Sequence, residues 1–297
     1  MTTVAPGDGI TMPSVEGVRH RSVTVGGIRF HLAEAGADDA PAVLLLHGFP
    51  QHWYAWRGLL TELSDNHRVI AVDLPGFGWS APSPTGYSTA ERARQVMALL
   101  DELGIGEVDL VGHDWGAWLA FRIGLDAPRR VRRLVAISEI SPWPLQRRLV
   151  PRLWRMWVTA IFEVPFLGRV LGANNRVISW FLTRDARNRS IWTDRLVASY
   201  ADVAARREVA TAGQRMHAAF VMRDISALVL RRRWKAPYDV PTLMVAGDND
   251  SYVPAALMEQ PRHRADTVRV VTVPGGHFLL DENPSAVSRV VRMHLAD

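Results

Sequence analysis

Six short stretches constrain the fold more than anything else in the chain. Ala42–Leu46, Arg68–Val72, Val108–Val111, Arg133–Ser138, Val240–Ala246 and Val268–Val273 are strand-length and rich in aliphatic residues. A strand buried on both faces reads this way, and such strands belong to parallel sheets covered by helices. Amphipathic stretches at helical spacing lie between or after them: Trp53–Leu63, Thr89–Leu103, Trp115–Leu125 and Pro284–His294. The alternation predicts an α/β protein with a mostly parallel sheet and helices on both faces. Ahead of the first run, Arg21–Val25 and Ile28–Ala33 flank Gly26-Gly27, which predicts a hairpin and brings the sheet to eight strands.

The rhythm breaks between Pro142 and Pro237, where no strand pattern is visible and Trp, Leu, Arg and Ala sit at helical spacings. This predicts a discontinuous core, residues 1–141 and 238–297, with a helical block at 142–237. A chain of 297 residues, 48% hydrophobic and 22% charged, can bury a core of that size. The net charge of +5 comes almost wholly from arginine, Lys235 being the one lysine. Scattered over helix faces, with a single cluster at Arg231-Arg232-Arg233, it reads as a solvated surface rather than a nucleic-acid patch. Cysteine is absent, which excludes disulfides, a thiol nucleophile and a Cys metal site. A polar N-terminus and the lack of a run near ~18 apolar residues predict a cytoplasmic protein with no membrane partner, monomeric or homodimeric. No spacing suggests a metal, and no glycine-rich loop suggests a phosphate or dinucleotide, so no cofactor is expected.

The chemistry concentrates at strand ends. Gly112-His113-Asp114-Trp115-Gly116 follows an apolar run and opens a helical pattern, with small residues two positions either side of an acid. That spacing is a nucleophile elbow with aspartate in place of serine. His277 follows the last strand in Pro274-Gly275-Gly276-His277, and Asp250 follows the strand before it in Gly247-Asp248-Asn249-Asp250. The order nucleophile, acid, histidine is shared with serine hydrolases of this architecture. Glu139, after the sixth strand, is an alternative relay acid. His47-Gly48-Phe49-Pro50 follows the third strand, where the backbone N–H of Phe49, with that of Trp115, would form an oxyanion hole.

Taken together, HGFPQHWYAWR (47–57), DLPGFGWS (73–80) and GHDWG (112–116) resemble the soluble epoxide hydrolase branch of the α/β-hydrolases, over nearly the whole chain from about residue 20 to 295. Haloalkane dehalogenases share the aspartate and its tryptophan. The resemblance implies that block 142–237 is a cap and that Asp114 attacks an epoxide carbon to form an alkyl ester. An ionised carboxylate needs no base to do so at neutral pH. Water activated by His277, with Asp250 orienting the imidazole, then hydrolyses the ester. It also implies two cap tyrosines to meet the alkoxide, and here the sequence departs from the pattern. Tyr200 is the one tyrosine and His217 the one histidine within the block. His217 replacing one tyrosine, and Tyr200 serving as the other, are the available candidates. His47, Gly48, Pro50, His52, Trp154 and Trp157 are expected to line the substrate site. Trp143, Trp180 and Phe181 could add apolar wall.

Two other readings compete. A dehalogenase would use the same Asp114 ester, but the second halide donor is replaced by Phe49, and no arginine adjoins the nucleophile to suit a haloacid. A non-catalytic, ligand-binding α/β-hydrolase would explain the missing tyrosines but not the intact set of Asp114, Asp250 and His277. The expected substrate is a small apolar epoxide or halogenated compound, with water as co-substrate.

Overall fold

The computed structural model describes residues 9–151, 162, 164, 166–225, 238–259 and 266–296. The chain begins with the hairpin β1 (Arg19–Val25) and β2 (Ile28–Ala35), whose turn is Gly26-Gly27, both with positive φ. β3 (Ala42–Leu46) leads through a short 3-10 turn into α1 (Arg57–Leu63) and β4 (Arg68–Val72). Then come α2 (Thr89–Glu102), β5 (Val108–His113), α3 (Trp115–Asp126) and β6 (Val131–Ile137). Every described regular element between β6 and the next strand is helical: α4 (Gln146–Leu149), α5 (Leu167–Gly172), α6 (Asn175–Thr183), α7 (Asp194–Ala204) and α8 (Arg207–Phe220), with short 3-10 and π turns between and after them. The sheet resumes with β7 (Thr242–Gly247) and β8 (Val268–Val273), and α9 (Leu279–Glu282) and α10 (Pro284–Ala296) close the chain.

The eight strands form one sheet in the order β1-β2-β4-β3-β5-β6-β7-β8. Both pairings of β2 are antiparallel, and every pairing from β4 through β8 is parallel. The central strands are buried along their length because helices cover both faces; Val43, Leu44, Leu45 and Leu46 have no exposed surface. At the edges the pattern relaxes to alternation in β1 and to partial exposure in β8. Helix α2 shows how local sequence fixes a boundary. The Ser88 hydroxyl accepts from the Glu91 N–H, and glutamate three residues after the cap completes a capping-box sequence. The buried stripe then runs Thr89, Arg92, Ala93, Val96, Leu99 and Leu100. Among the described residues no helix is long and apolar enough to cross a membrane.

Asp73, at the end of β4, organises the loops on the side of the site. Its carboxylate accepts from the Trp53 N–H (2.8 Å), the Trp79 N–H (2.9 Å) and His31 Nδ1–H (2.7 Å). A Cβ on Gly78 would overlap this carboxylate. Burial works against the Asp73 charge, but the histidines around it, His31 first, hold the carboxyl down at about 2. A folded value below the unfolded one stabilises the protein above pH ~4, and this stabilisation is lost as pH falls toward 2. Asp73→Asn is therefore expected to cost about 3 kcal/mol at pH 7. Its urea-unfolding stability should also fall less than the wild type's between pH ~4 and ~2. Equal acid sensitivity in the two proteins would rule Asp73 out as a contributor.

Candidate active site

β3, β5, β6, β7 and β8 lie side by side and run the same way. The loops after them share one edge of the sheet, where a parallel sheet offers a crevice. That edge collects Gly48 and Phe49, Asp114, Glu139, Asp250 and His277.

Asp114 sits between β5 and α3 at φ 51°, ψ −126°. An L-residue holds such a conformation only when its surroundings impose it. The Asp114 N–H donates to the Ile137 carbonyl (3.0 Å), tying the turn to β6, and its own carbonyl starts α3 by accepting from Ala117 (2.8 Å) and Trp118 (3.1 Å). The flanking glycines make the turn possible: a Cβ on Gly112 would meet Ala117 at 2.5 Å, and one on Gly116 would overlap the Leu46 carbonyl. Gly48 is needed for a different reason. A Cβ there would run into the Asp114 carboxylate.

The two carboxylate oxygens of Asp114 have different surroundings. Oδ2 accepts from the Phe49 N–H at 3.0 Å. Trp115 opens α3, so its N–H has no acceptor within the helix. Oδ1 faces His277 Nε2 at 3.7 Å. On its other side His277 Nδ1–H donates to Asp250 Oδ2 at 3.0 Å. Asp250 is itself fixed, its Oδ1 accepting from the N–H groups of Tyr252 (2.9 Å) and Val253 (2.7 Å). The His277 carbonyl accepts from His113 Nε2–H (2.9 Å), which fixes the loop from behind. Asp114 leaves 15% of its side chain accessible, whereas the side chains of His277 and Asp250 are buried.

These groups share charge. Burial opposes the His277 cation, but the Asp250 and Asp114 carboxylates outweigh it and raise its proton affinity well above that of a free imidazole. Burial likewise opposes the Asp114 anion, and His277, His113 and the Phe49 N–H overcome it. Each group thus favours the charged form of the other.

Residues 41–284 of the chain match the α/β hydrolase fold family. The chain belongs to the α/β-hydrolase family. It is 46% identical over 127 residues to Epoxide hydrolase 2 of Siraitia grosvenorii, a match covering 42% of this chain and 40% of that protein. The matched stretch thus spans about two-fifths of that relative's length. It is 28% identical over 280 residues to Epoxide hydrolase 4 of Mus musculus, covering 89% of this chain and 76% of that one. Among solved structures it is similar to Cfl2 from Burkholderia cenocepacia, with a TM-score of 0.80, 32% identity, and coverage of 93% of this chain and 95% of that one.

Not every residue singled out in the sequence stands where this α/β-hydrolase would use it. Tyr200 is held by a buried network. Its hydroxyl donates to Asp281 (3.0 Å), which also accepts from Gln51 Nε2 (2.6 Å) and pairs with Arg57 (2.6 Å). The network ties α7 to α1 and α9. His47 and His52 both have hydrogen-bond partners in the surrounding backbone. His47 Nδ1–H donates to the Gly48 carbonyl and its Nε2 accepts from the Leu74 N–H, with burial pushing the ring down to about 4. His52 Nε2–H donates to the Ser199 carbonyl on α7, and its Nδ1 accepts from the Tyr54 N–H. Pro50 is buried beside Phe49, to which a cis peptide bond joins it.

Glu139 stands apart from the His277 Nδ1 position. Asp250 occupies His277 Nδ1, while Glu139 Oε1 accepts from the N–H of its own neighbour Ile140 (2.6 Å). Burial, and then the Asp114 charge, raise the Glu139 carboxyl well above the usual range. Trp154 and Trp157 lie outside the described residues, as does the Arg231-Arg232-Arg233 cluster.

His217 does reach the site. Its ring centroid lies 4.7 Å from that of Trp115 and 5.0 Å from that of Phe49. Its Nδ1–H donates to the Gly213 carbonyl (2.7 Å), and Nε2 is buried without a partner. Burial pushes the ring down to about 4. The neutral ring therefore offers an acceptor where a tyrosine would offer a donor. The aromatic wall nearby comprises Phe49, Phe162, Phe181 and Phe220; Trp143 packs instead against Phe121 and Tyr238, and Trp180 is half-exposed.

Sequence reading missed Arg92. It is 2% exposed, yet its charge is felt at Asp114 and His217. The available signal was an arginine in the buried stripe of α2, at a position where the spacing calls for an apolar residue.

Asp114→Asn removes one of the two anions that raise His277. The imidazole should then titrate at lower pH than in the wild type, read from its ring 15N resonances over a pH series. An unchanged titration would mean that Asp250 alone sets it.

Proposed function

We propose that the protein opens an epoxide to a vicinal diol through a covalent ester on Asp114, hydrolysed by water that His277 activates with Asp250 as the relay acid. The observation that carries the reading is the division of labour in one carboxylate. Oδ2 rests on the Phe49 N–H and Oδ1 is left facing the base, in a chain whose named relatives are epoxide hydrolases.

In the first step Oδ1 attacks a ring carbon, the C–O bond breaks, and its electrons stay on oxygen. The alkoxide takes a proton from solvent. Asp114 is now a neutral ester, so His277 has lost one of its two flanking anions and releases its proton to solvent, which balances the one the alkoxide took. In the second step neutral His277 removes a proton from water as the water oxygen adds to the Asp114 carbonyl carbon. The oxyanion forms at Oδ2, against the N–H groups of Phe49 and Trp115. Collapse expels the diol oxygen, which takes the proton from His277; the Asp114 acid left behind passes its hydroxyl proton to His277, which restores the carboxylate and the imidazolium. Asp250 holds the Nδ1–H tautomer and supports the transient imidazolium. The described helices from 142 onward serve as the cap, and the aromatic faces of Phe49, Phe162, Phe181 and Trp115 favour an apolar substrate body.

The test is His277→Ala exposed to a panel of epoxides and haloalkanes, followed by intact mass and peptide mapping. The expected result is a stalled adduct of the whole epoxide mass on Asp114. Turnover by this variant should fall by about 1000-fold or more, the scale of losing a positioned base. An alkyl adduct lacking its halogen would replace the proposal with a dehalogenase. No adduct with any member of the panel would favour a ligand-binding role.

A further inference from the structure

The loops that carry Asp250 and His277 are stitched to one loop of the helical block, residues 184–188, between α6 and the turn at Arg189–Ile191. Asp185 is 8% exposed, and its Oδ2 accepts from the Ser251 N–H at 2.6 Å. Its backbone carbonyl accepts from Asn249 Nδ2 (3.3 Å) and lies so close to Gly276 that a Cβ there would overlap it. Glu282, the last residue of α9, gathers two N–H groups on one oxygen: Oε2 accepts from Gly276 (3.0 Å) and from Arg187 (2.9 Å). Ser251 follows Asp250, and Gly276 precedes His277. Each carboxylate therefore pins the backbone one residue away from a member of the Asp250–His277 pair. The Arg187 side chain also pairs with Asp248, but both are half-exposed, and such a pair contributes little.

Residues 248–251 and 274–277 belong to no helix or strand, so no ladder of backbone bonds holds them in place. Water would satisfy an exposed loop N–H and leave the chain free to move. A carboxylate makes a charge-assisted bond that is shorter, stronger and fixed in direction. The acid loop is tied to the block a second time, where the Tyr252 hydroxyl donates to the Phe181 carbonyl on α6 (3.0 Å). Burial raises the proton affinity of both Asp185 and Glu282 against the pull of the N–H groups they hold, so keeping these carboxylates in place costs stability. What they secure is a contact between two loops. The 3.0 Å bond from His277 Nδ1 to Asp250 Oδ2 is as good as the spacing of those loops. A displacement of ~1 Å in such a placement can cost about 100-fold in rate.

We infer that Asp185 and Glu282 are positioning residues for the base: together they set the spacing of Asp250 and His277, and through the 184–188 loop they make that spacing depend on the helical block. The inference rests on the epoxide-opening reading only for the step it affects, hydrolysis of the Asp114 ester. Attack by Asp114 draws on the turns after β3 and β5, which the clasp does not touch. Loosening the clasp therefore slows release of the alkyl group and leaves its capture intact.

The test reads His277 in the absence of substrate, from its ring 15N resonances over a pH series. Asp185→Asn and Glu282→Gln remove a charge but keep an acceptor oxygen; Asp185→Ala and Glu282→Ala remove both. In each alanine variant His277 is expected to titrate about 0.5 to 1 pH unit lower than in the matching amide variant, because a displaced Asp250 supports the imidazolium less. Asp185→Glu and Glu282→Asp keep the charge and move the acceptor by one carbon, so His277 should titrate below the wild type in them too. They decide the matter if an alanine variant does not fold. Alanine variants that titrate with their amides, or length variants that titrate with the wild type, would overturn the inference. No ring is opened in this measurement, so it stands whether or not His277→Ala yields an adduct. With an epoxide that does give the adduct, the Asp114 ester should accumulate in Asp185→Ala and Glu282→Ala, read by intact mass after quenching. Its hydrolysis is expected to slow by about 10- to 100-fold while its formation keeps the wild-type rate. Equal slowing of both steps would overturn the positioning role.

Discussion

The backbone of Asp114, held at φ 51°, is the constraint from which the rest of the site follows. A turn this tight between β5 and α3 leaves no room for a Cβ at 112 or 116, which is why glycines stand there. It also presses the carboxylate against the β3 loop so closely that residue 48 must be glycine too. Once placed, the carboxylate has one oxygen on a backbone N–H and the other toward an imidazole. Neither relationship depends on a flexible side chain of the nucleophile itself.

The electrostatics follow from crowding. Two carboxylates, Asp114 and Asp250, flank His277, and a third, Glu139, has its proton affinity raised by burial and then by the Asp114 charge. His113 and His217, both held neutral chiefly by burial, add dipoles but no charge.

Sequence made the elbow and the parallel core legible because both are local. Ala42–Leu46, Arg68–Val72 and Val268–Val273 appear in the structure with the boundaries their composition predicts. The glycines around Asp114 mark a conformation that a short segment must adopt by itself. What sequence does not carry is which distant groups meet. The choice between Asp250 and Glu139 turns on which loop reaches His277 Nδ1 once β6 and β7 are paired. The fate of Tyr200 turns on Asp281 and Arg57, far from it in the chain. His217 was visible as a residue, but its hydrogen bond to Gly213 reverses the role its position suggests. Arg92 looked like one more arginine on a helix in a chain rich in them. Only the face it occupies separates it from the solvated majority.

The order in which the site's parts leave the ribosome has its own consequence. Phe49 and Asp114 follow β3 and β5, while Asp250 and His277 follow β7 and β8, after the helices that separate β6 from β7. Ser138 at the end of β6 donates its N–H to Val245 on β7, and Leu134 donates to Pro241. Until residues 242–247 have been synthesised, β6 is an open edge that could pair with the wrong strand.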